Sequence, residues 1–283
     1  MALHIVKIAC ERPDTLGRSL SQWDCAEIAR QLIRDGVVAT ISPETVRRTL
    51  LGHRLKPWRH QMWLSPKVPR DAAFAEVVRG LSDLYTRRLR KDEMVLCVDE
   101  HTNLQPRPRP AATRPTQPER PTRVEHEYGR DGALNLFAAF DTRTGKVYAR
   151  TAGRKRQVEF IAFLEHLDRE IPRSFRRVHL VMGNYATHTG KLVRQWLAKH
   201  PRFRFFHPPV HCSWMNQVEQ WFGILKRKRL RIIDFASKEH LSGRLMAFVR
   251  EWNERAHPFK WTGESFSKVL AKCEASSSPA LVA

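Results

Sequence analysis

Hydrophobic and polar positions follow two rhythms along this chain, and the change of rhythm divides it. Between residues 19 and 64 the period is helical. In SQWDCAEIARQLIRDG, apolar residues at Trp23, Ala26, Ile28, Ala29, Leu32 and Ile33 predict one helix, stopped by Gly36. ISPETVRRTLLGHRL predicts a second. Ser42 suits the N-cap, Pro43 the first helical position, and Glu44 the positive helix end. Val46, Leu50 and Leu51 should face inward, and Arg47, Arg48 and Thr49 outward. Helix, short turn, then a helix with exposed arginines is the helix-turn-helix pattern. LKPWRHQMWL extends it as a basic arm, with Arg54 just before it and Lys56, Arg59 and His60 set among Trp58 and Trp63. Residues 70–92 predict one amphipathic linker helix, its apolar stripe formed by Phe74, Val77, Val78, Leu81, Leu84 and Tyr85.

From Met94 the period shortens. MVLCVDE is a buried-strand run closed by two acids, Asp99 and Glu100. The tract LQPRPRPAATRPTQPERPTR follows, with proline at six positions and arginine between them. Proline at that density excludes helix and central strand, so an extended basic loop is expected. RVEHEYG, ALNLFAAFD and KVYARTAG are three further strand candidates, with turns at 130–132 and 144–145. With MVLCVDE they predict an antiparallel meander. VEFIAFLEHLDREI predicts a helix, VHLVM a buried strand, THTGKLVRQWLAKH a helix and FRFFHPP a strand. SWMNQVEQWFGILKRKRLRI and LSGRLMAFVREWNERA predict two more helices. Strands first, then strand alternating with helix, describe an α/β fold: a mixed sheet flanked by helices.

Composition narrows the partner. Lys and Arg number 50 against 29 Asp and Glu, a net charge of +21. The charge is spread through patterned segments rather than confined to a tail, which favours a polyanion bound through its phosphates. No basic amphipathic helix with an aromatic face points to a membrane surface. No apolar run approaches the ~20 residues of a transmembrane helix, and MALHIVKIACERPD lacks the charged start and small-residue end of a signal peptide. Five scattered cysteines without a C-x-x-C pair fit free thiols in a reducing cytoplasm.

Two acids stand where chemistry could occur. Alternation puts Asp99 on the same face as Val95 and Cys97, and Glu100 on the other. An acid at a strand tip is either a metal ligand or a solvated end residue. Glu219 borders the helical stripe of Val218, Trp221, Phe222 and Leu225; it could face the sheet edge or pair with Lys226 at the surface. Carboxylates converging at a sheet edge are what Mg²⁺ or Mn²⁺ phosphoryl chemistry requires. His207, His211 and Cys212 lack a fourth ligand nearby, which argues against zinc.

VDEHTNLQ, LFAAFDTRTGKVY, HLVMGNYATH, PVHCSWMNQVEQWFGIL and FVREWNE, in this order, resemble the insertion-sequence-630 family of bacterial transposases, within the mariner superfamily of DDE recombinases. The resemblance runs from about Ser21 to Leu270. It implies a ribonuclease-H-like catalytic domain over 93–275, with the Pro/Arg loop at 104–123, preceded by a helix-turn-helix domain at 1–66 and the linker helix at 67–92. Residues 276–283 are expected to form a disordered tail. The family cleaves element ends and transfers strands with Mg²⁺ or Mn²⁺, acting on terminal-repeat and target DNA, generally as a dimer. Its first Asp falls on Asp99 and its last acid on Glu219, both metal ligands. The second Asp falls on Gly183, with 35 residues between it and Glu219. Neither Asn184 nor Glu100 offers a substitute, and His188 reads as a strand-end or DNA-contact residue. Only one of the family's two DNA-binding modules is apparent, so the chain resembles an N-terminally truncated member in the bacterial cytoplasm, associated with the nucleoid. Arg47, Arg48, Arg54, Lys56, Arg59, Arg107, Arg109, Arg114, Lys226, Arg227 and Lys228 are the expected DNA contacts. Impaired DNA cleavage and strand transfer follow, with a catalytically inactive DNA-binding protein as the alternative.

Overall fold

The structure is a computed structural model of the chain that describes residues 1–60, 70–209, 212–261 and 263–277. It divides into two compact units, Met1–Ser65 and Pro66–Ala283. In the first, helices α1 (Ala2–Cys10), α2 (Cys25–Arg34) and α3 (Pro43–Gly52) share a small core. Caps fix the starts of α2 and α3: Asp24 accepts from the Glu27 amide, and Ser42 from the Thr45 amide. Helix α1 was not expected. Its Ile5 and Ile8 are buried against Ile28, Leu32, Val46 and Leu50, so two helices alone do not close this core. Ile33 departs from the predicted stripe and is exposed. Arg47 and Arg48 are exposed. The Trp63 end of the basic arm lies outside the described residues.

The second unit is built on a five-stranded sheet of order β3-β2-β1-β4-β5, from β1 (Glu93–Leu104), β2 (Leu134–Asp141), β3 (Val147–Ala152), β4 (Arg177–Met182) and β5 (Phe203–Phe206). Strands β1, β2 and β3 are antiparallel neighbours, and β4 and β5 join parallel to β1. Helices α4 (Ala72–Thr86), α8 (Val218–Lys228), α9 (Lys238–Glu254) and α10 (Glu264–Ser277) surround the face that carries Val95 and Cys97. Helices α5 (Gln157–Glu170), α6 (Ala186–Thr189) and α7 (Lys191–Lys199) lie on the face that carries Leu96 and Val98.

Several sequence expectations change. RVEHEYG is not a strand. Val124 and Tyr128 are exposed and no apolar face repeats, so the segment folds back on the Pro/Arg loop, where Arg114 and Arg123 bridge and the Gly129 amide donates to Pro108 O. Strand β1 does not close at Asp99-Glu100. It continues to Leu104, because β2 extends far enough to pair Glu100 with Phe137 and Leu104 with Leu134. The helix expected from Thr187 to His200 breaks at Gly190, where a Cβ would overlap the Gln157 side chain at the start of α5. Helix α4 ends at Thr86 and buries Val78, Leu81 and Leu84 in the same core as the sheet, while Val77 is exposed. Helix α10 runs to Ser277, two residues into the expected disordered tail; residues 278–283 lie outside the described ones.

Candidate active site

Sheet register brings the site together. Val98 on β1 pairs with Met182 on β4, so Asp99 and Gly183 are the next residues on neighbouring parallel strands. Parallel strands lie about 4.8 Å apart, and paired residues point to the same face. Cys97 and Val181, two residues back on each strand, both enter the core under α8. A side chain at 183 would therefore stand beside Asp99, on the α8 side. Among the described residues, a Cβ built on Gly183 meets only the Tyr185 ring, at 3.4 and 3.5 Å, which is ordinary contact. The slot admits a side chain at its Cβ and opens on the cleft, yet holds none.

Helix α8 supplies the other acid. Val218, Trp221, Phe222 and Leu225 are buried against the sheet and set the helix rotation. Glu219, in the first turn, is left to line the same cleft as Asp99, Gly183, Lys155 and Asn216. The cleft has a volume of about 690 Å³. Asp99 is clamped on both oxygens: Oδ1 accepts from the Glu100 amide at 2.9 Å and Oδ2 from Asn216 Nδ2 at 3.2 Å. Burial raises the Asp99 carboxyl to about 6; the Glu100 amide works against this, and the charges of Glu100 and Glu219 add to it. The cleft walls also raise the Glu219 carboxyl by desolvation.

Glu100 turns to the opposite face, as alternation requires, and meets His188. The imidazole is buried, with Nε2 at 2.7 Å from Glu100 Oε1 and Nδ1 at 2.8 Å from Gly183 O. A carbonyl and a carboxylate at the two ring nitrogens suit the protonated ring, which donates from both. Burial opposes that charge, but the Glu100 bond and charge outweigh it and raise the His188 pKa. At 1% exposure His188 cannot be the DNA contact expected of it. It is a buried strut under the 183 slot.

Within the second unit, none of the basic residues expected to contact DNA lines the carboxylate cleft. Arg47, Arg48, Arg54, Lys56 and Arg59 are exposed in the first unit. Lys226, Arg227 and Lys228 are exposed at the far end of α8, roughly 10–14 Å along the helix from Glu219. Arg114 is exposed on the loop. Arg107 and Arg109 lie over the Tyr128 ring, and Arg109 donates to Ile233 O and Glu125 O, which ties the loop to the segment after α8. Asn216 and Lys155 are polar cleft residues that were not singled out from sequence. Asn216 stands three residues before Glu219 in MNQVEQ, a spacing that could have marked it; Lys155, in the β3–α5 turn, carries no such signal.

Metal chemistry can be tested on these donors. Mg²⁺ takes hard oxygens and is commonly held by one or two carboxylates, with waters and substrate phosphates completing the shell. Asp99 and Glu219 fit one such ion. A second ion lacks the carboxylate that position 183 would give. Among the described residues no three His, Cys, Asp or Glu form a group that could hold a metal ion, and His211 of the zinc candidates lies outside them.

The comparisons with known proteins agree with this architecture. A family model described as DDE superfamily endonuclease matches residues 94–242. The insertion element IS630 uncharacterized 39 kDa protein of Shigella sonnei is 27% identical over 144 residues, which cover 50% of this chain and 40% of that protein. The chain thus spans well under two thirds of that relative. The mariner Mos1 paired-end complex with Mg superposes with a TM-score of 0.52 at 17% identity, covering 90% of this chain and 74% of that one. The Mos1 strand transfer complex gives 0.52 at 16%, covering 98% and 77%. At such identity the likeness concerns the fold, and the mixed five-stranded sheet between helices is the ribonuclease-H-like arrangement expected. The family match covers more than half of the sequence, and the chain belongs to the DDE superfamily of endonucleases.

Proposed function

We propose that this chain is an insertion-sequence transposase whose DNA cleavage and strand transfer are impaired by Gly183. One observation carries the reading: Asp99, Glu219 and a side-chain-free position 183 line one cleft, whose other acid, Glu100, is engaged by His188. The acids that remain, Asp99 and Glu219, would hold a single Mg²⁺ or Mn²⁺. Bound there, the ion would stabilise charge on a phosphoryl oxygen and acidify a water. The chain's own residues do the rest. The Glu100 amide and Asn216 orient Asp99, α8 presents Glu219, and Lys155 gives the cleft an ammonium suited to a phosphate. Without an acid at 183 the second ion has no anchor, and most of the transition-state charge stabilisation is lost.

Duplex DNA, the element's terminal repeats and its target, is the proposed partner, held by the exposed arginines of α3 and the lysines and arginine ending α8. The first unit would act as the helix-turn-helix module, and two copies would work together on paired ends in the bacterial nucleoid. No helix among the described residues is long and apolar enough to cross a membrane.

The test is Mn²⁺- and Mg²⁺-dependent cleavage of cognate terminal-repeat DNA by this chain and by Gly183→Asp. Activity should appear, or rise by at least about 100-fold, in the variant. Equal activity in both would refute the impairment. A second reading follows from the same glycine: a DNA-binding protein that occupies element ends without cutting them. It is favoured if neither protein cleaves while both bind the repeat.

A further inference from the structure

Asn216 occupies a place that neither the sequence pattern nor the carboxylates explain. It lies between the short helical turn Ser213–Met215 and α8, and it is 2% exposed. Its amide nitrogen donates twice, to Val98 O at 2.9 Å and to Asp99 Oδ2 at 3.2 Å. Its own backbone carbonyl accepts from the Glu219 amide at 3.1 Å. One residue thus touches the β1 backbone, the Asp99 carboxylate and the backbone of Glu219. The other bond to the Asp99 carboxylate among the described residues, from the Glu100 amide, stays within β1.

We infer that Asn216 is the positioning residue of the metal site: it fixes the separation and orientation of Asp99 and Glu219. The inference rests on the proposal that these two acids hold a divalent ion. The chemistry favours an amide here. The side chain must donate to a strand carbonyl and a carboxylate together, which an aspartate cannot do and a leucine cannot do at all. Asn216 Oδ1 is buried without a partner among the described residues, so the amide is kept at the cost of an unsatisfied acceptor. A residue selected for helix packing alone would avoid that cost. The role is also specific to the two-acid site of this chain. With no carboxylate at 183, the geometry of the remaining pair depends on the β1–α8 junction.

The experiment is Mn²⁺ binding to the full chain, followed by electron paramagnetic resonance and by calorimetry, with melting temperature measured without metal. Residues that orient metal ligands typically change affinity by about 10- to 100-fold when removed. Asn216→Ala and Asn216→Leu should each raise the Mn²⁺ Kd by that factor. Asn216→Ser, which keeps a donor, should lie between them and the unaltered chain. Val218→Ala, which loosens the same helix start without touching Asp99, should lower the melting temperature but leave Kd within about twofold. Asp99→Asn should abolish the site. If Asn216→Ala binds as tightly as the unaltered chain while Asp99→Asn does not bind, the inference falls and the metal reading stands. If Val218→Ala weakens binding as much as Asn216→Ala, the inference also falls, because helix packing accounts for the effect. If Asp99→Asn binds as tightly as the unaltered chain, the metal reading itself falls.

Discussion

Removing the His188 ring should destabilise the catalytic unit more than its small size suggests. The imidazole is buried with Glu100 on one side, Gly183 O on the other and the Phe160 ring 4.6 Å away, centroid to centroid. His188→Ala strands the Glu100 carboxylate, whose side chain is 8% exposed, and leaves a void against Phe160. Breaking one side of a buried ion pair costs about 3–5 kcal/mol. For a unit of this size each kcal/mol is worth roughly 2–4 °C, so the melting temperature should fall by about 6–20 °C. The pH dependence provides a second readout. The His188 pKa is raised in the folded state. Its stabilisation is therefore complete below the unfolded histidine value and is lost as pH rises through the raised value. The stability gap between the unaltered chain and His188→Gln should be widest in acid and narrow on the alkaline side. Urea unfolding across this range measures both effects, and a cycle with Glu100→Gln should give a coupling of about 1–3 kcal/mol. A loss under about 1 kcal/mol for His188→Ala, or a gap that widens with pH, would refute the buried-pair argument.

Three other outcomes follow. The Asp99 carboxyl, raised to about 6 mainly by burial, must be ionised to hold a metal, so Mn²⁺ affinity should fall about tenfold per pH unit below that value and level off above it; a flat titration from pH about 5 to 7 would exclude Asp99 as a ligand. Gly145 has φ +75°, and a Cβ there would overlap the His257 backbone, so Gly145→Ala should cost about 2–5 kcal/mol in denaturant titration, well beyond a surface change. Replacing Lys226, Arg227 and Lys228 together with alanine should reduce the salt dependence of DNA binding by about two to three in log–log slope, and an unchanged slope would remove the end of α8 from the DNA interface.

The sequence carried most of what side-chain periodicity can carry. Alternation placed Asp99 and Glu100 on opposite faces, and the structure bonds Asp99 to Asn216 and Glu100 to His188. The helical stripe of Val218, Trp221, Phe222 and Leu225 predicted which residues of α8 would be buried. What was illegible depends on partners distant in sequence. β1 runs past its acids because β2 is long enough to pair with the extension. The helix after β4 breaks because Gln157, on another helix, occupies the space a Gly190 side chain would need. RVEHEYG looked like a strand by spacing from its neighbours, yet it has no apolar face to bury. Helix α1 was hidden because its short apolar run gives no period until α2 and α3 are there to receive Ile5 and Ile8.

Gly183 joins these two kinds of information. A glycine at a strand end is common and signals nothing by its chemistry. Its significance comes from register, which pairs Val98 with Met182 and thereby puts position 183 beside Asp99. The backbone there is firmly held: Gly183 O accepts from His188, and His188 is held in turn by Glu100. None of these bonds depends on a side chain at 183, so loss of a carboxylate there leaves the fold intact. The same independence means a carboxylate can be restored by one substitution, with only the Tyr185 ring, among the described residues, in contact with the new Cβ. Fold and chemistry are therefore separable at this residue. A Gly183→Asp chain that folds like the unaltered one yet still fails to cleave would place the defect outside the carboxylate slot, in the positioning of Asp99 and Glu219 or in DNA recognition.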